Sequence, residues 1–523
     1  MASTLTETLS LDSELKDELA GNGGIRRFAE SIMSGVGPTG KLSTALALGD
    51  DLLGEAYMEC RTAEERRPSG STYTPRPIID EMVGIALKKI QPSLIVDCGC
   101  GSGRYALACA RKFPNAKILA LDNSADAIAM CRANVVASGL SSRVRVVQAD
   151  FTDYTIERPQ DGTVLWIGNP PYVRHHDIDP AAKARFKAAA EKLGLKASGL
   201  SGLHVHFLAA IARQWREGDY GVLVTSSEWM DVNYGSFVRE LLSDRLGLDE
   251  LRLFDRTSHV FDIADTTAVI VAFGRKTDKV RVRSSNGTDR DIPSSMFRHS
   301  ERWTQLIESD DDSSRDDADH SSERMVPLGS LAQVHRGVVT GNNKFWVRKG
   351  SELDGIPDEL TVPVIAHAKE IMGDCVAQTS PGSLGRLIVL PENTSVLERD
   401  SYEAAIRIIE QGEAQGVNAG YVARHRRRWW SIRPPQPPAI LMTYMGRGKP
   451  TFVVNRQRLP MLNVVHGLYP KVEMTPKALD RLATFLNESV NPAEGRTYCG
   501  GLVKFEPKEA EAIMVPALEE LES

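Results

Sequence analysis

The stretch WIGNPPYVRHH, residues 166–176, ends a hydrophobic run in an amide, two prolines and an aromatic ring. Asn-Pro opens turns and consecutive prolines end strands, so the plainest reading of Asn169, Pro170, Pro171 and Tyr172 is a turn. The same residue types can also do chemistry. Prolines donate no N–H, and their carbonyls stay available as acceptors. The Asn169 side-chain oxygen and the Pro170 carbonyl can both accept from one amino group, while Tyr172 offers a flat face to the ring that bears it. An amine on an aromatic ring is a poor nucleophile because its lone pair is delocalised. Two acceptors on its hydrogens favour a more pyramidal nitrogen, able to attack in line. Positioning and electrostatics can carry such a reaction without a metal or a covalent intermediate.

Upstream, DCGCGSG at residues 97–103 joins a short apolar run to a helical one. Gly99 and Gly101 allow a tight turn and close backbone approach, and the helix start offers free N–H groups. Dinucleotide-binding folds share such a loop. Asp122, at the end of LALDN, can bond both hydroxyls of a ribose. Asp150 ends the next apolar run and is followed by Phe151, an acceptor for an exocyclic amine beside a ring that can stack. Any one of these acids could simply cap a helix. Asp97, Asp122 and Asp150 together fall at the carboxyl ends of strands, where ligands bind in open α/β sheets. Three acids suit S-adenosylmethionine better than a dinucleotide, because that ligand carries an ammonium, a ribose and an adenine but no phosphate.

A parallel sheet is needed to hold these residues. SLIVDCG, KILALDN, VRVVQAD, TVLWIGN, YGVLVTS and DTTAVIVAFG read as strands, with RYALACARKF, SADAIAMCRANVVAS, AAIARQW and FVRELLSD helical among them. Strands alternating with helices predict an α/β domain over residues 71–275, its mostly parallel sheet covered on both faces. Residues 1–70 read as polar helices, a cap or interaction arm without chemistry. Residues 276–325 read as a linker. It contains ESDDDSSRDDADHSSE at 308–323, too poor in apolar surface to order itself. Residues 326–523 mix short strands with prolines and a basic, aromatic-rich middle, and read as a second, α+β domain.

Bulk properties agree with this division. A chain of 523 residues is too long for one core. With a net charge of −6, any nucleic-acid surface must come from local concentration of basic residues. The seven cysteines form no CxxC pair and no zinc spacing, so no metal is expected, and their scatter fits a reducing cytosol. The polar N-terminus is no signal peptide, and no apolar run approaches ~18 residues, so a cytoplasmic protein without membrane contact is expected.

DCGCGSG, LALDN, QADF and NPPY, in this order, resemble the class I (Rossmann-like) S-adenosylmethionine-dependent methyltransferases that act on an amino nitrogen. YTPRPIIDEMV at 73–83 resembles the motif of the gamma-type DNA adenine-N6 methyltransferases that caps the methionine end of the cofactor, which implies cofactor roles for Thr74 and Pro75. HRGVVTGNNKFWV at 335–347, LNVVHGLYP at 462–470 and RTYCGGLVKFEPKE at 496–509 resemble the C-terminal target-recognition domain of the Taq-like branch. The resemblance covers roughly residues 70–520 and implies methylation of adenine N6 in double-stranded DNA within a restriction–modification or phage-defence system. It also implies that the base is flipped out of the duplex, with Tyr172 as one wall and Phe261 as the second. Phe261 could equally be a core residue before the last strand. The glycine loop departs from the family, being closer to that of general and protein-glutamine methyltransferases. No nuclease motif of the acid…(Asp/Glu)-x-Lys kind stands out, so a restriction endonuclease or defence subunit is expected on a separate chain.

Residues 421–458 carry Arg424, Arg426, Arg427, Arg428, Arg433, Arg447, Lys449, Arg456 and Arg458 with no acid among them, interleaved with Trp429, Trp430, Tyr444 and Phe452. Such a stretch predicts contact with phosphates and base edges. Arg336, Gly337, Thr340, Gly341, Asn342, Asn343 and Lys344 read as a polar loop suited to backbone contact near the target nucleotide, or else as an ordinary hairpin. Two rivals share the residues: an amino-methyltransferase of RNA or protein, and a non-catalytic DNA-binding subunit with a vestigial cofactor site.

Overall fold

The computed structural model describes residues 23–35, 44, 50–62, 65, 70, 72–254, 268–308, 324–372, 381–446, 448–498 and 502–523. Two compact units emerge, residues 1–309 with 498–501, and residues 310–497 with 502–523.

The first unit is built on a sheet of nine described strands. These are β1 (Leu94–Cys98), β2 (Lys117–Asp122), β3 (Val144–Gln148), β4 (Val164–Gly168), β5 (Tyr220–Ser226), β6 (Leu248–Leu253), β7 (Ala268–Phe273), β8 (Lys279–Arg283) and β9 (Asp289–Pro293). Their order is β3-β2-β1-β4-β5-β7-β6-β8-β9. The ladders from β3 through β5 are parallel, and β7 runs antiparallel between β5 and β6. Side-chain alternation splits the core into two layers. Leu94, Val96, Val164 and Trp166 pack on one face, and Ile95, Leu165 and Ile167 on the other. Burial on both faces is why these strands read as unbroken apolar runs.

The helices of this unit that bear on the site are α1 (Gly24–Met33), α2 (Leu52–Cys60), α3 (Arg76–Lys89), α4 (Arg104–Lys112), α5 (Ala125–Ala137), α6 (Pro180–Lys192) and α7 (Leu203–Arg213). The chain reverses direction across the sheet between β1 and β4, the kind of switch point outside which α/β sheets bind ligands.

One sequence expectation is overturned here, a strand appears that was not expected, and one alternative is narrowed. Residues 276–308 are not a linker: β8 and β9 extend the sheet, and helices over Ser294–His299 and Trp303–Glu308 bury Phe297 and Trp303 in its core. β6 was hidden because LDELRL carries charges. Buried Asp249 is bonded to Lys89 and Tyr220, and Arg252 to Glu250 and Glu81. Of the cap and the arm expected over residues 1–70, the described part packs as a cap, since Ile25, Ala29, Leu53 and Ala56 share a core with Met130 and Ala133 of α5. The acidic run at 309–323 lies outside the described residues.

The second unit is α+β. Antiparallel strands Ala332–Arg336, His466–Pro470, Ile440–Met442 and Phe452–Val454 pack against helix Pro476–Ser489. A second core joins the sheet of Val347–Arg348, Arg386–Ile388 and Thr361–Pro363 to helix Arg399–Ala414. Among the described residues no helix is long and apolar enough to cross a membrane, and no cluster of side chains could hold a metal ion.

Candidate active site

Asn169 follows β4 directly. Gly168, at φ 151°, brings this strand end so close to β1 that a Cβ there would lie 2.7 Å from the Cys98 carbonyl oxygen. Only glycine fits that approach. The Asn169 side chain is buried, and its Nδ2 donates to the Thr72 carbonyl at 3.3 Å and to Thr74 Oγ1 at 3.1 Å. Tyr105, from α4, sets its hydroxyl 3.2 Å from the same Thr74 oxygen. The two acceptors fix which way the amide points. Its Oδ1 is buried and accepts from nothing among the described residues. An amide oxygen left in that state is costly unless something else donates to it. Tyr172 N–H meets the Gly70 carbonyl at 3.4 Å, and burial pushes its phenol above the ordinary range.

A cavity of about 610 Å³ opens beside Asn169 at the carboxyl edge of β1, β2 and β4. Of the expected residues, Thr74, Gly99, Gly101, Asp122, Asp150, Phe151, Asn169 and Pro171 line it, whereas Pro75, Asp97, Pro170 and Tyr172 do not. Pro75 is the N-cap residue, just before the first turn of α3. Phe261 lies outside the described residues. Gly99, Gly101 and Gly103 have φ of 78°, 53° and 92°, the left-handed region that makes the loop glycine-dependent.

The three acids hold the cavity in different ways. Asp122 accepts from the N–H groups of Gly101 and Ser124, each at 2.9 Å, and burial raises its pKa. Asp150 is committed to protein: one oxygen accepts from Thr152, and the other from Arg185 of α6 at 2.7 Å. Asp97 sits behind the loop, wholly buried. One oxygen accepts from the Ala106 N–H at 3.0 Å and the other from nothing among the described residues. Burial, with the Asp122 charge adding to it, pushes this carboxyl up to about 8. It pins the first turn of α4 rather than reaching a ligand. Phe151 packs at 5.0 Å against Phe207 of α7 and edge-on to Trp166.

Sequence reasoning missed Tyr57, Thr72, Tyr73, Arg104 and Arg185, all of which line the cavity. Tyr73 closes over the loop, its ring 3.0 Å from where a Cβ on Gly101 would sit. Only its place beside Thr74 hinted at this.

In the second unit the expected polar loop is mostly spent on its own architecture. Asn342 Oδ1 accepts from the Phe345 N–H at 3.1 Å, capping the short helix Asn343–Trp346. Thr340 is buried and bonded to Asn343. Arg426 donates to the carbonyls of Val339, Thr340 and Trp429, and burial lowers its pKa. Lys449 bonds the Glu488 carbonyl at 2.9 Å. The acid-free stretch is paired from elsewhere: Glu392 meets Arg427 and Arg433, and Asp480 meets Arg456. In the polar loop, Arg336 meets Glu506. Arg428 lies over Trp430. Exposed basic side chains of the stretch and loop include Lys344, Arg424, Arg427, Arg428 and Arg458. Arg447 lies outside the described residues.

Comparison with known proteins matches residues 300–523 to the C-terminal domain of the Type II methyltransferase M.Eco57I. Residues 95–192 match a methyltransferase domain, and 164–261 the Eco57I restriction-modification methylase. The Type II methyltransferase M.XamI of Xanthomonas campestris pv. amaranthicola is 37% identical over 463 residues, 87% of this chain and 86% of its own. M.AccI of Acinetobacter calcoaceticus is 22% identical over 480 residues, with the same coverage. The Type IIL restriction-modification enzyme MmeI, solved in complex with DNA, superposes with a TM-score of 0.59 at 12% identity, over 87% of this chain and 69% of that one. At that identity the likeness is one of fold.

Proposed function

The chain belongs to the Type II DNA methyltransferases of restriction–modification systems, and from that premise we propose that it transfers a methyl group from S-adenosylmethionine to N6 of an adenine flipped out of duplex DNA. The observation that carries this reading is the Asn169 amide, its nitrogen tied down by Thr72 and Thr74 and its buried oxygen open. An acceptor so fixed suits an amino group at the cavity edge.

The cavity suits the cofactor. Its volume of about 610 Å³ is within the range that encloses a ligand of this size. Asp122 offers a carboxylate for ribose hydroxyls beside the glycine loop, and Ala149 and Phe151 offer an apolar slot for an adenine. When bound, the cofactor supplies an electrophilic methyl group on a sulfonium. This chain does the rest by holding the partner. Asn169 Oδ1 accepts one hydrogen of the target amine, the Pro170 carbonyl the other, and Tyr172 stacks on the purine. With the cofactor bound, the N6 lone pair would form the new N–C bond as the methyl–sulfur bond breaks and its electron pair stays on sulfur, and Asn169 Oδ1 would be the first acceptor of the displaced proton on its path to solvent. Exposed Lys344, Arg424, Arg427 and Arg428 supply phosphate contacts on the second unit.

Parallel incubation of duplex DNA, RNA and protein with methyl-labelled cofactor tests the reading. Label in duplex DNA, released as N6-methyladenine, is expected. Label confined to RNA or protein would overturn it.

A further inference from the structure

We infer that Arg104, held in place by Asp51 of the N-terminal segment, receives the α-carboxylate of the cofactor, so that residues 50–62 belong to the cofactor site. This rests on the S-adenosylmethionine reading above and goes beyond it, because neither residue was expected there.

Asp51 is buried, and it is surrounded by donors. It caps α2 by accepting from the Gly54 N–H at 2.9 Å. It also accepts from Ser102 Oγ and from Arg104 Nε at 2.5 Å each, and from Asn134 Nδ2 at 2.9 Å. Asn134 donates to the Ser102 carbonyl as well, at 2.9 Å. One carboxylate thus ties α2, the glycine loop and α5 together. A buried charge persists only with such partners.

A pair made for architecture alone would leave the arginine fully used. Arg104 donates through Nη1 to the Thr74 carbonyl at 3.0 Å, and its guanidinium lies 5.4 Å from the centre of the Tyr73 ring. Its Nη2 donates to nothing among the described residues, and the side chain, 17% exposed, lines the cavity. Among the described residues, two cations line that cavity, Arg104 and Arg185. Arg185 is bound to Asp150, at the adenine end. Arg104 instead meets Tyr73 and the Thr74 carbonyl, where on this reading the methionine portion of the ligand would lie. A planar guanidinium already oriented through Nε and Nη1 loses little freedom when its remaining N–H groups take up a carboxylate.

The test compares two thioether ligands by calorimetry on the full chain: S-adenosylhomocysteine and its decarboxylated counterpart, which has the same nucleoside and amine without the carboxylate. Wild type is expected to prefer the carboxylate form by on the order of 10- to 100-fold. Arg104→Met should bring that ratio close to one by weakening the carboxylate ligand alone, and Arg104→Lys should restore part of it. Asp51→Asn should also shrink the ratio while the decarboxylated ligand still binds, which verifies that the site has folded. A wild-type ratio retained in Arg104→Met, or equal loss of both ligands in Arg104→Met, overturns the inference while the cofactor reading stands. If wild type binds neither ligand, the cofactor reading falls and this inference with it.

Discussion

The cofactor cavity and the basic stretch of the second unit were both expected to present free polar groups, and they differ in how far they do. At the cavity, Asn169 Oδ1 has no donor among the described residues, because its neighbours there occupy only the nitrogen side of the amide. In the basic stretch, Glu392, Asp480 and three backbone carbonyls take up arginines that looked unpaired. The difference is one of constraint. A strand end places a side chain whatever the rest of the chain does, whereas a surface charge is answered by segments far away in sequence.

That contrast can be broken or sharpened by mutation. The largest effect is expected at the open amide: Asn169→Ala should lower kcat by on the order of 10²–10³ while DNA affinity changes little. Next, Arg426→Ala should destabilise the second unit by about 1–3 kcal/mol, since it strips three carbonyls of their donor, yet leave the salt dependence of DNA binding as it was. An altered salt slope at unchanged melting temperature would return Arg426 to the DNA surface.

At the lock on the amide, Thr74→Val should cost roughly tenfold in kcat with cofactor affinity nearly unchanged, and Thr74→Ser should recover it. Equal losses in Thr74→Val and Thr74→Ser would deny the lock. Asp97 makes a pH prediction. Its folded pKa of about 8 lies above its unfolded value near ~4, so the native state binds the extra proton. Its contribution to stability is full below that lower value and is lost as pH rises towards 8. The loss is at most about 1.4 kcal/mol per pH unit. Asp97→Asn should flatten denaturant-derived stability across that window, and an unchanged slope would show the carboxyl already ionised. Smallest of all, neutralising Lys344, Arg424 or Arg428 singly should reduce the log–log salt slope by about 1 each without moving the melting temperature.

How much was legible follows the same contrast. β1, β2, β4, β5 and β7 announce themselves because burial on both faces demands apolar runs, and the expected acids and amide fall in or just after the last residues of β1 to β4. β6, β8 and β9 were hidden because KVRVR and LDELRL carry charges that only the fold neutralises, as when Arg283 meets Asp289 and Arg252 meets Glu81. Asp97 and Asp150 were located correctly as strand ends, but residue type could not say that one would turn inward to hold a helix and the other would be bound by Arg185. Asp51 and Arg104 were missed because their pairing spans 53 positions and has no periodic signature.

The central claim is that the Asn169 oxygen takes hold of the amino group of a flipped adenine. Duplex DNA treated with wild type or Asn169→Ala and cofactor, then digested to nucleosides and quantified by mass spectrometry, tests it most directly, with DNA binding by both proteins measured alongside. The account predicts N6-methyladenine with wild type and almost none with Asn169→Ala, although both bind DNA. Undiminished N6-methyladenine from Asn169→Ala, or a methyl group found on cytosine instead, would contradict it.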